Sequence, residues 1–143
     1  MNKKGFTLIE LLAVIIILAV IALIATPIVL DVINDARLKS AESSVNGYIS
    51  AVDNARYEYI LDNNGAEPTW SDISGDVSVK GETVVCYGTG TDNAPTLTNG
   101  VFAATKCSTM TGSGNDATAK YTCQITNSLA TNCKAGDKYN GES

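Results

Sequence analysis

The residues best equipped for chemistry are four cysteines, Cys86, Cys107, Cys123 and Cys133, all in the C-terminal half of a 143-residue chain. An even count in a small polar region reads as two disulfides formed in an oxidising space. Zinc would want paired short spacings, usually with histidine, and the sequence has neither such a spacing nor any His. Four cysteines allow three connectivities. Cys86 with Cys107 and Cys123 with Cys133 is the preferred set, because each bond closes a short local loop. The lack of His also excludes Ser-His-Asp and Cys-His nucleophile arrangements. The carboxylate pairs Asp72 with Asp76, and Asp92 with Asp116, read as solvated turn residues. Gly112–Asp116 resembles one copy of a calcium-binding Gly/Asp repeat, but such repeats need stacked copies, so a turn is expected. Neither Gly88–Gly90 nor Gly112–Gly114 continues into a phosphate-binding fingerprint. No catalytic residue, cofactor or metal is expected, and the chain reads as a non-enzyme.

The other chemical signal is a carboxylate in the wrong place. From Leu11 to Leu30 no residue is charged, which is long enough to cross a bilayer as a helix. Glu10 lies at the edge of that run, where a carboxylate near the bilayer core costs on the order of 3 kcal/mol. It must either reach the headgroups or find a buried cation. Lys3 and Lys4 precede the run and keep that end cytoplasmic, which sends the C-terminus across the membrane. The run exceeds the core of an ordinary secretory signal, and Ala19, Ala22 and Ala25 give no small-x-small cleavage site, so the helix is expected to be retained. The net charge of -5 and the scattered cations argue against nucleic acid as a direct partner.

The residues Lys3-Lys4-Gly5-Phe6-Thr7-Leu8-Ile9-Glu10, followed by an apolar run, resemble the processing site of the type IV pilin and pseudopilin family. The resemblance covers about the first 30 residues. It implies a prepilin peptidase that cuts between Gly5 and Phe6 and N-methylates the Phe6 amine. It further implies that Glu10 pairs with the N-terminal amine of a neighbouring subunit, which is the cation the electrostatic argument asks for. Pro27 fits the same pattern, as a helix break at about the depth where such helices loosen inside a filament. The chain has Ala19 and Ala22 where many relatives have a nearby glycine.

These chemical features need elements to hold them. Beyond Asp31 the pattern becomes amphipathic, with Ala41, Val45, Tyr48, Val52, Ala55 and Tyr59 on one helical face. Asn63-Asn64-Gly65 and Pro68 supply a stop, so one helix from Phe6 to about Leu61 is predicted. Residues 66–143 contain strand-like stretches at Val77–Lys80, Glu82–Tyr87, Gly100–Thr105 and Ala119–Thr126. The expected fold class is α+β, a long N-terminal helix packed on a small antiparallel sheet. The expected division is a leader at 1–5, a membrane or filament-core helix at 6–30, an amphipathic half at 31–64 and a disulfide-stapled head at 65–143.

By that resemblance the chain is expected to be a pilin, stored in the cytoplasmic membrane with its N-terminus inside and its head outside. It then self-associates into a helical filament at the cell surface, serving adhesion or motility, with the peptidase, the assembly machinery and the bilayer as partners. A pseudopilin of a secretion or DNA-uptake machine is the alternative within the family. A membrane-tethered binding module is the alternative outside it.

Overall fold

A computed structural model of the chain describes residues 5–75, 77–80, 82–88, 94–111 and 117–136. Helix α1 runs from Leu8 to Asp62, and a single turn α2 spans Trp70–Ile73. Among the described residues six strands follow: β1 (Thr83–Tyr87), β2 (Thr96–Thr98), β3 (Val101–Ala103), β4 (Lys106–Thr111), β5 (Thr118–Thr126) and β6 (Leu129–Ala135). The strands form an antiparallel four-stranded sheet, ordered β1-β4-β5-β6, and a separate β2-β3 hairpin. This is the expected α+β class, with the second half of α1 packed on an antiparallel sheet. Contacts divide the chain into two compact units, Met1–Ala36 and Arg37–Ser143.

In the second unit the helix buries the expected stripe. Ala41, Val45, Tyr48, Val52 and Ala55 are buried, together with Ile49, while Tyr59 is partly buried against the same cluster. Val84 and Cys86 of β1, Cys107 of β4, Cys123 of β5 and Ala130 of β6 complete the core with Ile73, Leu97 and Phe102. Trp70 packs its ring on Phe102 at 5.2 Å between centroids. The helix ends as its sequence dictates. Asn64 takes a left-handed conformation at φ 54°, and the Gly65 N–H donates to the Ile60 carbonyl at 2.8 Å, the bond that closes a Schellman cap.

Two expectations for the strands are corrected. Val77–Lys80 is not a strand: Val77 and Val79 pack against the core cluster without a paired neighbour, so the alternation reflects packing alone. Gly100–Thr105 contributes only Val101–Ala103, because Asn99 and Gly100 form the turn of the β2-β3 hairpin with φ values of 49° and 76°. Those values belong to a primed turn, for which Asn-Gly is the preferred pair. Asn127 and Ser128, at 52° and 59°, turn β5 into β6 in the same way. The expected strands at Glu82–Tyr87 and Ala119–Thr126 are observed as β1 and β5, whereas β2, β4 and β6 are additional.

Polar contacts tie the connections to this frame. Arg56 of α1 holds Glu67 through two hydrogen bonds, Nε to Oε2 at 2.8 Å and Nη2 to Oε1 at 2.5 Å. Thr69 and Asp72 form a capping box over α2, with Asp72 Oδ2 accepting from both the Thr69 N–H and the Thr69 hydroxyl at 2.7 Å. The Arg56 guanidinium holds the Glu67 carboxyl below its ordinary pKa. The Thr69 hydroxyl, then its amide, does the same for Asp72. Gly88 sits against the Ala94 backbone, where a methyl group would come within 2.5 Å of the Ala94 carbonyl oxygen.

Two outcomes follow. Gly88→Ala should lower stability by about 1–3 kcal/mol through overpacking against backbone, measured by denaturant unfolding of the detergent-solubilised chain. Glu67 and Asp72 have depressed folded-state values, so their stabilisation is present above the unfolded carboxylate range and lost as pH falls through it. Amide exchange across residues 67–73 and the fluorescence of Trp70 should therefore change as pH falls below about 4. A Glu67→Gln, Asp72→Asn double variant should flatten that response. An unchanged response would show that these two carboxylates do not control the segment.

Candidate functional site

Gly5, Phe6 and Thr7 lie outside the helix, which begins at Leu8. Thr7 is followed three residues later by Glu10 in a Thr-x-x-Glu pattern before an apolar run, the sequence form of a capping box. The geometry matches the pattern. Glu10 Oε2 accepts from the Thr7 N–H at 2.9 Å and from the Thr7 hydroxyl at 2.8 Å, while the Glu10 N–H donates to Thr7 Oγ1 at 3.3 Å. The Leu11 N–H reaches the Thr7 carbonyl at 3.3 Å and begins the helical ladder. The cap therefore places the Gly5–Phe6 peptide bond in non-helical backbone, and leaves Phe6 90% exposed.

Downstream, every Leu, Ile and Val from Leu8 to Ile33 is exposed. An 18-residue stretch of α1 reaches a mean hydropathy of 3.2, with none of it buried. A helix apolar on all sides belongs in lipid or inside a larger assembly rather than in water. Helix α1 continues through Pro27, so the residue does not end the helix here. Its missing N–H leaves the Leu23 carbonyl without its usual donor. One residue earlier, the Thr26 hydroxyl donates to the Ala22 carbonyl at 2.6 Å.

The residues singled out from sequence thus fall into separate groups. Gly5, Phe6 and Glu10 share the first turn and its approach, and Pro27 lies farther along the same apolar stretch. The cysteines are in the sheet: Cys86 is bonded to Cys107 and Cys123 to Cys133. Thr7 carries the cap, and the Thr-x-x-Glu pattern is the signal that could have found it. An open cleft of about 350 Å3 lies beside β1, lined by Tyr48, Trp70, Val84, Tyr87 and Pro95 among others. Its described lining has no carboxylate or lysine, so it offers no acid–base pair. Among the described residues no three His, Cys, Asp or Glu side chains converge on a metal position. The Gly112–Asp116 stretch, Asp76, Asp92, Gly90, Lys3 and Lys4 lie outside the described residues.

The family model for the prokaryotic N-terminal methylation motif matches residues 1–26. That motif is the class III signal peptide of type IV pilins and pseudopilins, so the segment built around Gly5, Phe6 and Glu10 is a pilin-type signal. The match covers these 26 residues and supports a pilin-like or pseudopilin precursor. No curated protein and no solved structure matches the chain.

Removing the cap should loosen the helix start without touching the head. Thr7→Ala is expected to cost about 1 kcal/mol of local helix stability, read as faster amide exchange over residues 8–11 in detergent micelles, with Thr7→Ser restoring most of it. Equal exchange in both variants would show that the hydroxyl does not cap.

Proposed function

We propose that this chain is a pilin, cut between Gly5 and Phe6, methylated at the new Phe6 amine, and polymerised through its N-terminal helix into a type IV pilus-like filament. The observation that carries this reading is the contiguity of two features. A methylation signal on residues 1–26 runs directly into a helix whose Leu, Ile and Val side chains stay exposed as far as Ile33. The head makes its core from Ala41 onward, so that apolar surface is left for lipid before assembly and for neighbouring subunits afterwards.

In this reading residues 1–5 form the leader, 6–30 the membrane and filament-core segment, 31–64 the supporting half of the helix and 65–143 the head. Before assembly the N-terminus faces the cytoplasm and the head lies across the membrane. Cleavage removes Lys3 and Lys4 and leaves the Phe6 amine as the cation available to a neighbour's Glu10. Apolar contact along the core supplies most of the cohesion, because it is proportional to the area covered. The Glu10–amine pair supplies register, because a buried charge left unmatched is heavily penalised. Pro27, with one helical hydrogen bond already missing, is the place where the helix can extend inside the filament. The head coats the filament and makes its surface contacts, a structural rather than an enzymatic role.

N-terminal sequencing and intact-mass analysis of material sheared from cells should find a chain beginning at methylated Phe6 and carrying two disulfides. Processed chain confined to the membrane would instead indicate a pseudopilin, and an uncut chain beginning at Met1 would overturn the filament reading. Glu10→Ala should leave cleavage intact and lower the sheared yield by about two to four orders of magnitude, since stranding one member of a buried ion pair costs about 3–5 kcal/mol. Normal filaments from that variant would remove Glu10 from the assembly contact.

A further inference from the structure

The two disulfides are neighbours. In the sheet register Cys86 on β1 stands opposite Cys107 on β4, and Cys107 stands opposite Cys123 on β5. Three half-cystines therefore form one row across three adjacent strands, and Cys123 is bonded onward to Cys133 on β6. Directly opposed residues of an antiparallel pair project from the same face, with Cα atoms about 4.5–5.5 Å apart. That separation lies within the range a disulfide spans, so Cys107 and Cys123 are placed to bond with each other. Both are fully buried, whereas Cys133, on the edge strand, is only partly buried. At the opposite edge Cys86 lines the open cleft beside β1.

We propose that the four half-cystines are an exchange relay, in which reduction at Cys133 on one edge of the sheet opens the bond of Cys86 on the other. A small external dithiol supplies the electrons. Its thiolate attacks the Cys133 sulfur, the Cys123–Cys133 bond breaks, and Cys123 leaves as a thiolate. Cys123 then attacks the Cys107 sulfur, and the Cys86–Cys107 bond breaks as the Cys107–Cys123 bond forms. Cys86 departs as a thiolate and takes a proton at the cleft. The second thiol of the dithiol attacks the mixed disulfide, releasing Cys133 as a thiol and the dithiol as a cyclic disulfide. One protein disulfide has been reduced by two electrons, and one remains.

The row supplies the alignment this chemistry needs. Exchange runs through a near-linear arrangement of attacking, central and leaving sulfurs, and Cys123, Cys107 and Cys86 follow one another along the cross-strand direction. The product bond joins β4 to β5, the two inner strands, and leaves the thiols on the two edge strands. The relay thus keeps a covalent tie at the centre of the head while freeing both its edges, and a later oxidant can rebuild either edge bond through the same row.

The test uses the full-length chain in detergent, treated briefly at mildly alkaline pH with limiting dithiothreitol. The products are quenched with acid, labelled with N-ethylmaleimide and mapped by non-reducing peptide mass spectrometry. The expected major one-bond species has Cys107 bonded to Cys123 and label on Cys86 and Cys133. It should be enriched about tenfold over the same reduction in concentrated urea, where no row exists to direct the exchange. One-bond species holding only Cys86–Cys107 or Cys123–Cys133 would overturn the relay. A Cys86→Ser, Cys133→Ser double variant decides independently: air oxidation should give a chain two protons lighter, and persistent free thiols at Cys107 and Cys123 would overturn the proposal.

Discussion

The rest of the molecule depends on the exclusion of water from one surface. From Leu8 to Ile33 each Leu, Ile and Val side chain is exposed, on every side of the helix. Covering one such side chain is worth about 1.5–3 kcal/mol, so the segment as a whole is worth tens of kcal/mol. That exceeds the net stability of an ordinary domain, about 5–15 kcal/mol. No arrangement of this chain in water can leave that surface bare, so lipid or other apolar helices must cover it. The signal on residues 1–26 sits at the start of that surface, and on the proposed function this is where peptidase and assembly act.

The head meets the opposite difficulty, a core too small to be comfortable. Its fully buried side chains are mid-sized, led by Ile73, Val45 and Val52 with Cys107 and Cys123. The edges of the sheet are where so small a structure would fray, and each is fastened. Each disulfide joins an edge strand to its inner neighbour, β1 to β4 and β6 to β5. The helix also reaches both edges: Asn46 Oδ1 accepts from the Ala130 N–H of β6 at 2.8 Å. Ser44 donates to Glu82 beside β1 at 3.0 Å, and Glu82 in turn holds Lys120 of β5. Inside the sheet Ser108 and Thr122 satisfy each other at 2.9 Å, and Thr122 also meets the Gly136 carbonyl. Buried hydroxyls paired in this way avoid the penalty of an unsatisfied group.

Legibility followed the strength of the local pattern. The apolar run, the amphipathic stripe and the Asn64-Gly65 stop each obey a short-range rule, so the long helix could be read to within a residue or two at its end. Strands β1 and β5 were visible because apolar and β-branched residues dominate them. Strand β4, Lys106–Thr111, is polar by composition and is a strand because β1 and β5 lie on either side of it, which no local window records. Strand β6 and the β2-β3 hairpin were announced by Asn127-Ser128 and Asn99-Gly100, turn signals that a search for apolar alternation passes over. The reverse error, Val77–Lys80, has the alternation without a partner strand. At the signal itself Gly5, Phe6 and Glu10 were legible as a motif. The capping role of Thr7 was also written there, as Thr-x-x-Glu before an apolar run, but the processing motif drew attention away from it until the geometry showed the bonds.

That cap bears on how a carboxylate can sit beside so apolar a surface. Isolated in hydrocarbon, Glu10 would be penalised by several kcal/mol. Here two donors from Thr7 converge on one of its oxygens, at a helix N-terminus where the unpaired amides already favour negative charge. The carboxylate is therefore provided for within its own chain before any neighbour arrives. On the proposed assembly, a neighbour's amine has to improve on that arrangement rather than rescue a bare charge. A full positive charge in a dry surrounding does so, because it adds a direct Coulomb attraction, far stronger at low dielectric than in water, to bonds that are already charge-assisted. On that proposal the same local donors that make the stored subunit tolerable also set how much the incoming partner must offer, and a cation placed at the helix start meets that requirement.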